Sequence, residues 1–288
     1  MPNAKDIQKR IKSVKSTHKI TRTMEMVATS KFKRAVDRLI AARPFAQALP
    51  EIVGLLAGEE LGDFPLLARR SEVKRVGLLI LTSNRGLCGS LNSNLLRKSM
   101  TFIRDQEEKG REVEIHVTGK KGASYLRFIG RRTASQRTDL SDRPAPEDAG
   151  SFATLLSEAF VSGRVDEVHI VYPSFKNAAE QAPVVAQLLP LSLPASEESG
   201  KAPANFILEP DAMQLLGELL PLYLRNTIFR CLLEMAASEQ GARRTAMKAA
   251  TDSAKEMMDS LTLSYNRARQ AQITKELLEV ISGAEALR

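Results

Sequence analysis

The sequence contains few of the residue types that build catalytic and metal sites. Its 288 residues include no tryptophan, three histidines and two cysteines, and aromatic residues make up 5%. Cys88 and Cys231 lie far apart without a CxxC spacing, and His18, His116 and His169 are isolated from one another. These counts argue against a disulfide framework and against a zinc site.

Long hydrophobic runs are also absent. A membrane-spanning helix needs about 20 consecutive apolar residues, and the basic N-terminus is not followed by the short apolar segment of a secretory signal. The composition, 43% hydrophobic and 26% charged residues, is typical of a globular protein that buries a core in one or two domains. We therefore expect a cytosolic protein.

Fingerprints of nucleotide binding and hydrolytic catalysis are missing too. The segment TSNRGLCGSLN (82–92) contains Gly86 and Gly89 in a spacing that fits neither GxGxxG nor GxxxxGK[ST]. No GxSxG, HExxH or paired-carboxylate pattern occurs. We interpret the glycines as a tight turn into a helix and Cys88 as a buried thiol, with a nucleophilic Cys88 as the alternative. The sequence thus indicates no catalytic residue, no metal ligand and no cofactor.

Positive charge is abundant, and its excess lies near the N-terminus. Residues 1–50 carry twelve basic and three acidic residues, a net charge of +9, whereas the other 238 residues carry 30 basic and 31 acidic residues. Such a segment attracts an anionic partner, which can be nucleic acid, anionic lipid or an acidic protein surface. A solvated helix face without a partner is the alternative.

A long helix is predicted over residues 3–57, because apolar residues recur in alternating steps of four and three. The predicted stripe consists of Ile7, Ile11, Val14, His18, Thr21, Glu25, Ala28, Phe32, Ala35, Leu39, Ala42, Ala46 and Leu49. Beside its polar middle, a second apolar row of Ile20, Met24 and Val27 predicts a sideways shift of the stripe. Pro44 predicts a bend or a break.

A second long helix is predicted from about Pro210 to Ile281, with a kink at Pro221 and local weak points at Gly217 and Gly241. Its predicted stripe consists of Phe229, Leu232, Ala236, Ala246, Ala250, Ala254, Met257, Leu261, Ser264, Ala268, Ala271 and Leu278. Neither terminal helix can bury its stripe alone. We therefore expect the two ends of the chain to wrap around each other as a coiled coil.

The middle of the chain has the pattern of an open α/β sheet. Short β-rich runs at 76–82, 113–119 and 167–173 alternate with helical segments at 92–109, 120–129 and 147–162. A further strand is possible within residues 182–194, and a polar linker follows at 195–205. The predicted domains are a shaft helix (1–57), an α/β domain (75–194) and a second shaft helix (207–288).

Three segments resemble the gamma subunit of F-type ATP synthase. They are IQKRIKSVKSTHKITRTMEMVATSKFKRA near the N-terminus, SNRGLCGSLN (83–92), and ITKELLEVISGAEA (273–286). SEQGARRTAMKAAT and YNRARQ match as well. The family turn usually reads SDRGLCGGLN, so Asn84 stands for Asp and Ser90 for Gly, and Ser253 stands where Asn is common. The Asn84 replacement removes a charge beside Arg85, and with it any ion pair that the family turn makes there.

The resemblance implies a fold and a role. The terminal helices form an antiparallel coiled coil beside an open, Rossmann-like α/β domain, and the coiled coil enters a head of alternating alpha and beta subunits. The chain is the central rotor stalk of a proton-translocating ATP synthase. It lacks catalytic groups, because ATP is made and hydrolysed on the beta subunits, and it transmits the rotation of the membrane ring.

The resemblance also implies partners and contact residues. The partners are the alpha, beta and epsilon subunits and the ring of c subunits, without nucleic acid, and the chain is peripheral to the cytoplasmic face of the cell inner membrane. Contacts from shaft to head are expected at Met24, Arg243, Arg269, Gln270, Thr274 and Glu276. The family turn motif comprises Arg85, Gly86, Cys88 and Gly89. The basic N-terminal helix would attract the acidic beta levers without a fixed register.

Two alternatives from other classes stay open at this point. The +9 segment is compatible with a coiled-coil protein that binds nucleic acid, although it lacks interleaved aromatic residues. The α/β pattern is compatible with a small-molecule enzyme, although no site signature supports one. Redox control by a thiol pair is not expected, because Cys88 is the only cysteine of the middle region.

Overall fold

The computed structural model of the chain describes residues 4–56, 64–178, 180–192 and 212–285. Its elements, in chain order, are α1 (Ala4–Leu56), β1 (Arg75–Leu81), α2 (Leu91–Glu108), β2 (Glu112–Thr118), α3 (Lys120–Phe128), β3 (Ser135–Arg137), α4 (Pro146–Val161), β4 (Glu167–Phe175), β5 (Gln181–Leu189) and α5 (Ala212–Glu285). The predicted fold class, two long terminal helices and an open α/β sheet between them, is confirmed. The short strand β3 was not predicted.

Five strands form one mixed sheet in the order β3-β2-β1-β4-β5. β1 lies parallel to both β2 and β4, while β5 is antiparallel to β4. β1 reads RVGLLIL and is buried at all six residues from Val76 to Leu81, as expected for a parallel strand covered on both faces. The strand order reverses between β1 and β4, and ligands of α/β sheets bind at such a switch point, outside the carboxyl ends of the strands.

Helices α2, α3 and α4 contribute buried apolar residues to the core around this sheet. Leu95 of α2, Leu126 of α3 and Phe160 of α4 are at most 1% exposed. The start of α4 is fixed by Pro146 at the first helical turn and by the Asp148 carboxylate, which accepts a hydrogen bond of 2.9 Å from the Ala145 N–H.

Internal contacts divide the chain into two units. The first unit comprises Met1–Thr29 and Arg243–Arg288, and the second comprises Ser30–Ala242. The second unit therefore contains the sheet together with parts of both long helices, whereas the described residues of the first unit, 4–29 and 243–285, are all helical.

All thirteen predicted stripe positions of α1 are buried or half-buried. The predicted sideways shift is wrong, because the stripe continues through His18, Thr21 and Glu25, while Ile20 and Val27 are more than half exposed. α1 also continues through Pro44 and Pro50, so the predicted break is absent. When a helix packs against a partner along one side, the positions that recur at heptad spacing are buried, even where single residues among them are polar.

On α5 the predicted stripe of the first unit is correct in part. Ala246, Ala250, Ala254, Leu261 and Ala268 are buried or half-buried as predicted, and Met247, Thr251, Met258 and Tyr265 are buried or half-buried beside them. Met257, Ser264, Ala271 and Leu278, which the sequence placed on the stripe, are exposed. In the core of this unit, the Thr21 and Thr251 hydroxyl oxygens lie 2.9 Å apart.

In the second unit the two long helices run antiparallel. Leu39 of α1 packs with Leu233 and Ala237 of α5, and Phe32 lies beside Gly241, so increasing numbers on one helix meet decreasing numbers on the other. A Cβ at Gly241 would approach the Phe32 ring to 3.1 Å. Gly241, which the sequence marks as a weak point of α5, is therefore the residue that allows the Phe32 ring of α1 to pack closely against α5.

Candidate functional site

The turn after β1 is built as a cap for helix α3. Three consecutive residues of this turn, Thr82, Ser83 and Asn84, accept hydrogen bonds from the first three backbone N–H groups of α3. The donors and acceptors are Lys120 N–H to Asn84 Oδ1 (3.0 Å), Lys121 N–H to the Ser83 carbonyl (3.1 Å) and Gly122 N–H to Thr82 Oγ1 (2.9 Å). Free N–H groups at a helix N-terminus commonly bind phosphate, and here the chain itself uses them.

This close approach depends on glycine at two positions. Gly119 has φ of +84°, and a Cβ there would lie 2.1 Å from the Thr82 carbonyl oxygen. At Gly122 a Cβ would lie 2.6 Å from Thr82 Oγ1 and 2.7 Å from a Val117 methyl group. All three distances are shorter than van der Waals contact, so neither position accepts a side chain without movement of the turn.

Within the turn, polar side chains hold Cys88 in place. Asn92 Nδ2 donates to Ser83 Oγ at 2.8 Å and lies 3.2 Å from Cys88 Sγ, and Ser83 Oγ donates to the Arg85 carbonyl at 2.6 Å. Cys88 is 2% exposed and unpaired. Its sulfur contacts only neutral groups of the turn in the described structure, and this arrangement is that of a packed thiol.

The side-chain amide of Asn84 forms hydrogen bonds with the backbone of two other segments. Its Oδ1 accepts the Lys120 N–H, and its Nδ2 donates to the Leu140 carbonyl at 2.8 Å. An aspartate could accept the first bond but could not donate the second. Arg85 is exposed and forms no ion pair with any carboxylate in the described part of the chain. The amide is thus a structural link between two loops.

The four residues of the turn motif lie in different environments. Cys88 is buried, Gly86 is half-buried beside Lys121, and Arg85 and Gly89 are exposed. Gly89 has φ of +58°, which favours glycine, whereas Leu87 adopts φ of +62° without being glycine and is 57% exposed. The sequence motif therefore marks a specially shaped turn.

A half-open cleft of about 580 Å³ lies next to this turn, at the carboxyl ends of β1, β2 and β3. We call it the basic cleft. Its charged residues are Lys31, Arg34, Arg38, Arg85, Lys120 and Arg143, with Asp142 as the acidic residue. α5 closes one wall with Leu233, Ala236 and Gln240. Gln240 is 3% exposed, and its Oε1 has no hydrogen-bond partner in the described structure.

The residues predicted to contact a partner lie in the first unit, apart from the turn motif. Met24 is 39% exposed on α1, Arg243 is half-buried, and Arg269, Gln270, Thr274 and Glu276 are exposed on α5. Glu276 accepts a hydrogen bond of 3.0 Å from Gln272, one helical turn before it. The sequence-predicted residues thus form two sets, one in each unit.

The end of α5 has no cover in the described structure. Every residue from Arg269 to Ala284 is helical and exposed. Five large apolar residues lie on this surface at 46% to 70% exposure: Ile273, Leu277, Leu278, Val280 and Ile281. Apolar surface of this extent marks a site of protein association.

One buried histidine lies in the sheet and away from these features. His116 of β2 is 1% exposed, its Nδ1 lies 2.8 Å from Ser135 Oγ, and its Nε2 lies 3.1 Å from Glu114 Oε1. Burial lowers the pKa of His116, and the charge of Glu114 opposes this shift only in part. The imidazole serves the core as a neutral group.

Sequence reasoning missed the basic cleft and the caps of α3. Lys31, Arg34 and Arg38 are spaced by three and four residues, which places them on one face of α1. This spacing could have indicated the α1 side of the basic cleft from the sequence. Lys120 and Arg143 join them only through the fold. The described helices contain none that is long and apolar enough to cross a membrane.

Comparison with known proteins gives one consistent family. The family model described as ATP synthase matches residues 3–287. The ATP synthase gamma chain of Gemmatimonas aurantiaca is 47% identical over 289 residues, with all of both chains covered. That of Leptospira biflexa is 41% identical over 288 residues, also with full coverage of both chains.

Solved structures agree with this result. A chain of the Tetrahymena thermophila mitochondrial ATP synthase, in a structure of its central stalk and c-ring, is 25% identical with a TM-score of 0.60, and the match covers 80% of this chain and 99% of that one. A chain of the Euglena gracilis mitochondrial ATP synthase has a TM-score of 0.67 at 20% identity, covering 99% and 94%. The second likeness concerns the fold alone.

Proposed function

The chain belongs to the ATP synthase gamma-chain family, and on that premise we propose that it is the central rotor subunit of an F-type, proton-translocating ATP synthase. It couples ion flow through a membrane ring to ATP synthesis or hydrolysis on beta subunits by rotating within the catalytic head. The chain contributes no catalytic group to this reaction. The nucleic-acid alternative gains no support from any of the relatives.

The observation that carries the proposal is the uncovered end of α5. Sixteen consecutive helical residues are exposed and include five large apolar side chains. Large apolar side chains left in water mark a surface that associates with another protein, so we expect a surrounding protein to cover this end of α5 in the working state. A bearing formed by alpha and beta subunits meets that need, because it encloses a helix on all sides.

Contacts to the head are assigned to the first unit. We propose that Met24, Arg243, Arg269, Gln270, Thr274 and Glu276 touch or support the bearing. Eleven of the twelve basic residues among the first 50 are exposed, and long-range attraction to acidic beta levers would not fix one rotational position. The domain division 1–57, 75–194 and 207–288 follows from the same role.

The sheet-containing part is proposed to face the epsilon subunit and the c-ring. In that arrangement the turn of Arg85, Gly86, Cys88 and Gly89 shapes the surface of the α/β domain. The caps from this turn to α3 support a structural role, since they consume the backbone groups that a phosphate would need. The complex would hold the chain on the cytoplasmic face of the inner membrane.

Reconstitution tests the proposal. The full chain alone is expected to hydrolyse no ATP, and its addition to alpha and beta subunits of the same source should give strong ATP turnover. Deleting residues 274–288 should reduce assembly or coupling while the circular dichroism and thermal unfolding of the remaining chain persist. ATP hydrolysis by the chain alone, or full turnover of the head without it, would contradict the rotor proposal.

A further inference from the structure

The basic cleft contains more positive charge than the described fold neutralises. Lys31 pairs with Asp142 at 2.5 Å, and Arg34 donates to Ser30. The remaining cations of the cleft form no ion pair with any described carboxylate; they are Arg38, Arg85, Lys120 and Arg143. Like charges gathered around one concave volume repel one another, and an anionic ligand would remove that cost.

The position of the cleft is the one where α/β sheets bind ligands. It lies outside the carboxyl ends of β1, β2 and β3, beside the switch point of the sheet. The usual backbone cradle at a helix N-terminus is closed here, because Thr82, Ser83 and Asn84 already cap α3. A ligand would therefore be held by guanidinium and ammonium groups, which favour phosphate oxygens in bidentate or charge-assisted contacts.

Gln240 supplies an independent sign of a missing partner. Its side chain is 97% buried in the wall of the cleft, since 3% of the residue is exposed, and its Oε1 is unpaired in the described structure. A buried polar atom without a hydrogen-bond partner destabilises the folded state. A protonated phosphate or a ligand hydroxyl could donate to Oε1, and a half-turn of the amide would present Nε2–H to an oxyanion.

We propose that the basic cleft binds a small anion with two or more phosphate groups. A volume of about 580 Å³ is that of a small-molecule site, and the six cations line one concavity rather than an extended stripe. The ligand would tie α1 to the turns after β1 and β2. This inference does not rest on the rotor role, and it adds a ligand to a chain that shows no nucleotide fingerprint.

Titration of the full chain tests the proposal, with pyrophosphate, ADP and adenosine as probes at low ionic strength. Wild-type protein should bind one pyrophosphate or one ADP saturably and should not bind adenosine. The double variant Arg38→Gln/Arg143→Gln should bind at least tenfold more weakly. The control Lys33→Gln/Arg132→Gln removes the same charge from exposed positions outside the cleft and should change the affinity less than twofold.

The possible outcomes distinguish recognition of phosphate alone, recognition of a nucleotide, and binding of an acidic protein in the basic cleft. Equal affinity for pyrophosphate and ADP assigns recognition to phosphate alone, and tighter binding of ADP adds a contact to the nucleoside; both support the site. An equal loss in the control variant, or absence of binding to wild-type protein with native circular dichroism, overturns it. Binding of an oligoglutamate peptide that pyrophosphate does not displace would also overturn it, in favour of an acidic protein partner.

Discussion

In the second unit, Leu78, Ile80 and Leu95 are completely buried between sheet and helices, whereas the first unit has the hydroxyl groups of Thr21 and Thr251 in contact between its two helices. The sheet carries apolar side chains on both faces, and the helix pair has one narrow seam. The burial of apolar side chains along such a narrow contact compensates for only a small part of the conformational entropy that the two helices lose on folding. The second unit is therefore stabilised by its own core, whereas the end of the first unit leaves large apolar side chains exposed.

The largest effect is expected from removing an aromatic ring from the core of the second unit. Phe160→Ala should lower the free energy of unfolding by about 3–5 kcal/mol, because it leaves a cavity at a 1% exposed position. Urea unfolding of the full chain measures this. Phe128→Ala is the matched control, since Phe128 is 88% exposed and should change the stability by less than about 0.5 kcal/mol. Similar losses in both variants would contradict the assigned core.

The next effect concerns the capped turn of the second unit. Gly122→Ala should cost about 1–3 kcal/mol, because its Cβ would meet Thr82 Oγ1 and Val117 at less than 3 Å. Gly283→Ala at the uncovered end of α5 meets no atom within 4 Å, so urea unfolding should be unchanged within about 0.5 kcal/mol. A stable Gly122→Ala protein with unchanged α3 amide protection would show that the turn does not cap the helix as described.

A smaller effect is expected at the polar pair in the first unit. Thr251→Val removes the 2.9 Å contact between hydroxyl groups and should cost about 1 kcal/mol locally. Thr21→Val/Thr251→Val should recover most of that loss, because two apolar groups then pack together. Hydrogen exchange of amides in residues 4–29 reports the change. The exposed Thr262→Val is the control; a double variant less protected than the single one would refute the pairing.

The smallest effect is a pH dependence that belongs to the second unit. The unfolded His116 binds a proton near pH 6.5, and its pKa is lower in the folded chain because of burial. The unfolded state therefore takes up more protons as the pH falls from 7.5 to 5.5, and the free energy of unfolding should decrease over that range. His116→Gln should remove this decrease, whereas His18→Gln in the first unit should leave it.

Much of the helical architecture could be predicted from the sequence because a heptad step is local. Every predicted position of α1 is buried or half-buried. The helix continues through Pro44, and the stripe residues on both sides of the proline remain buried or half-buried. The predicted α5 stripe is correct in part, because small residues such as Ala246 and Ala250 fit two neighbouring registers equally well. The three-residue strand β3 has no apolar alternation to reveal it.

Other features could not be predicted because they depend on other chains or on distant contacts. Ile20, Met24 and Val27 looked like a displaced core row, yet they are exposed; an apolar pattern does not distinguish burial within a chain from burial by a partner. The basic cleft combines α1 with residues as distant as Arg143. The role of Asn84 as a link from α3 to Leu140 likewise appears only when three segments meet.

Rotation of this chain within its complex tests the central claim most directly. Cys88 and Cys231 are buried, so a cysteine placed at the exposed Lys109 by Lys109→Cys can carry a visible probe selectively. In a surface-anchored head of alpha and beta subunits with ATP, the probe should rotate in one direction at a rate that follows ATP concentration. Turnover with a stationary or randomly moving probe would contradict the account.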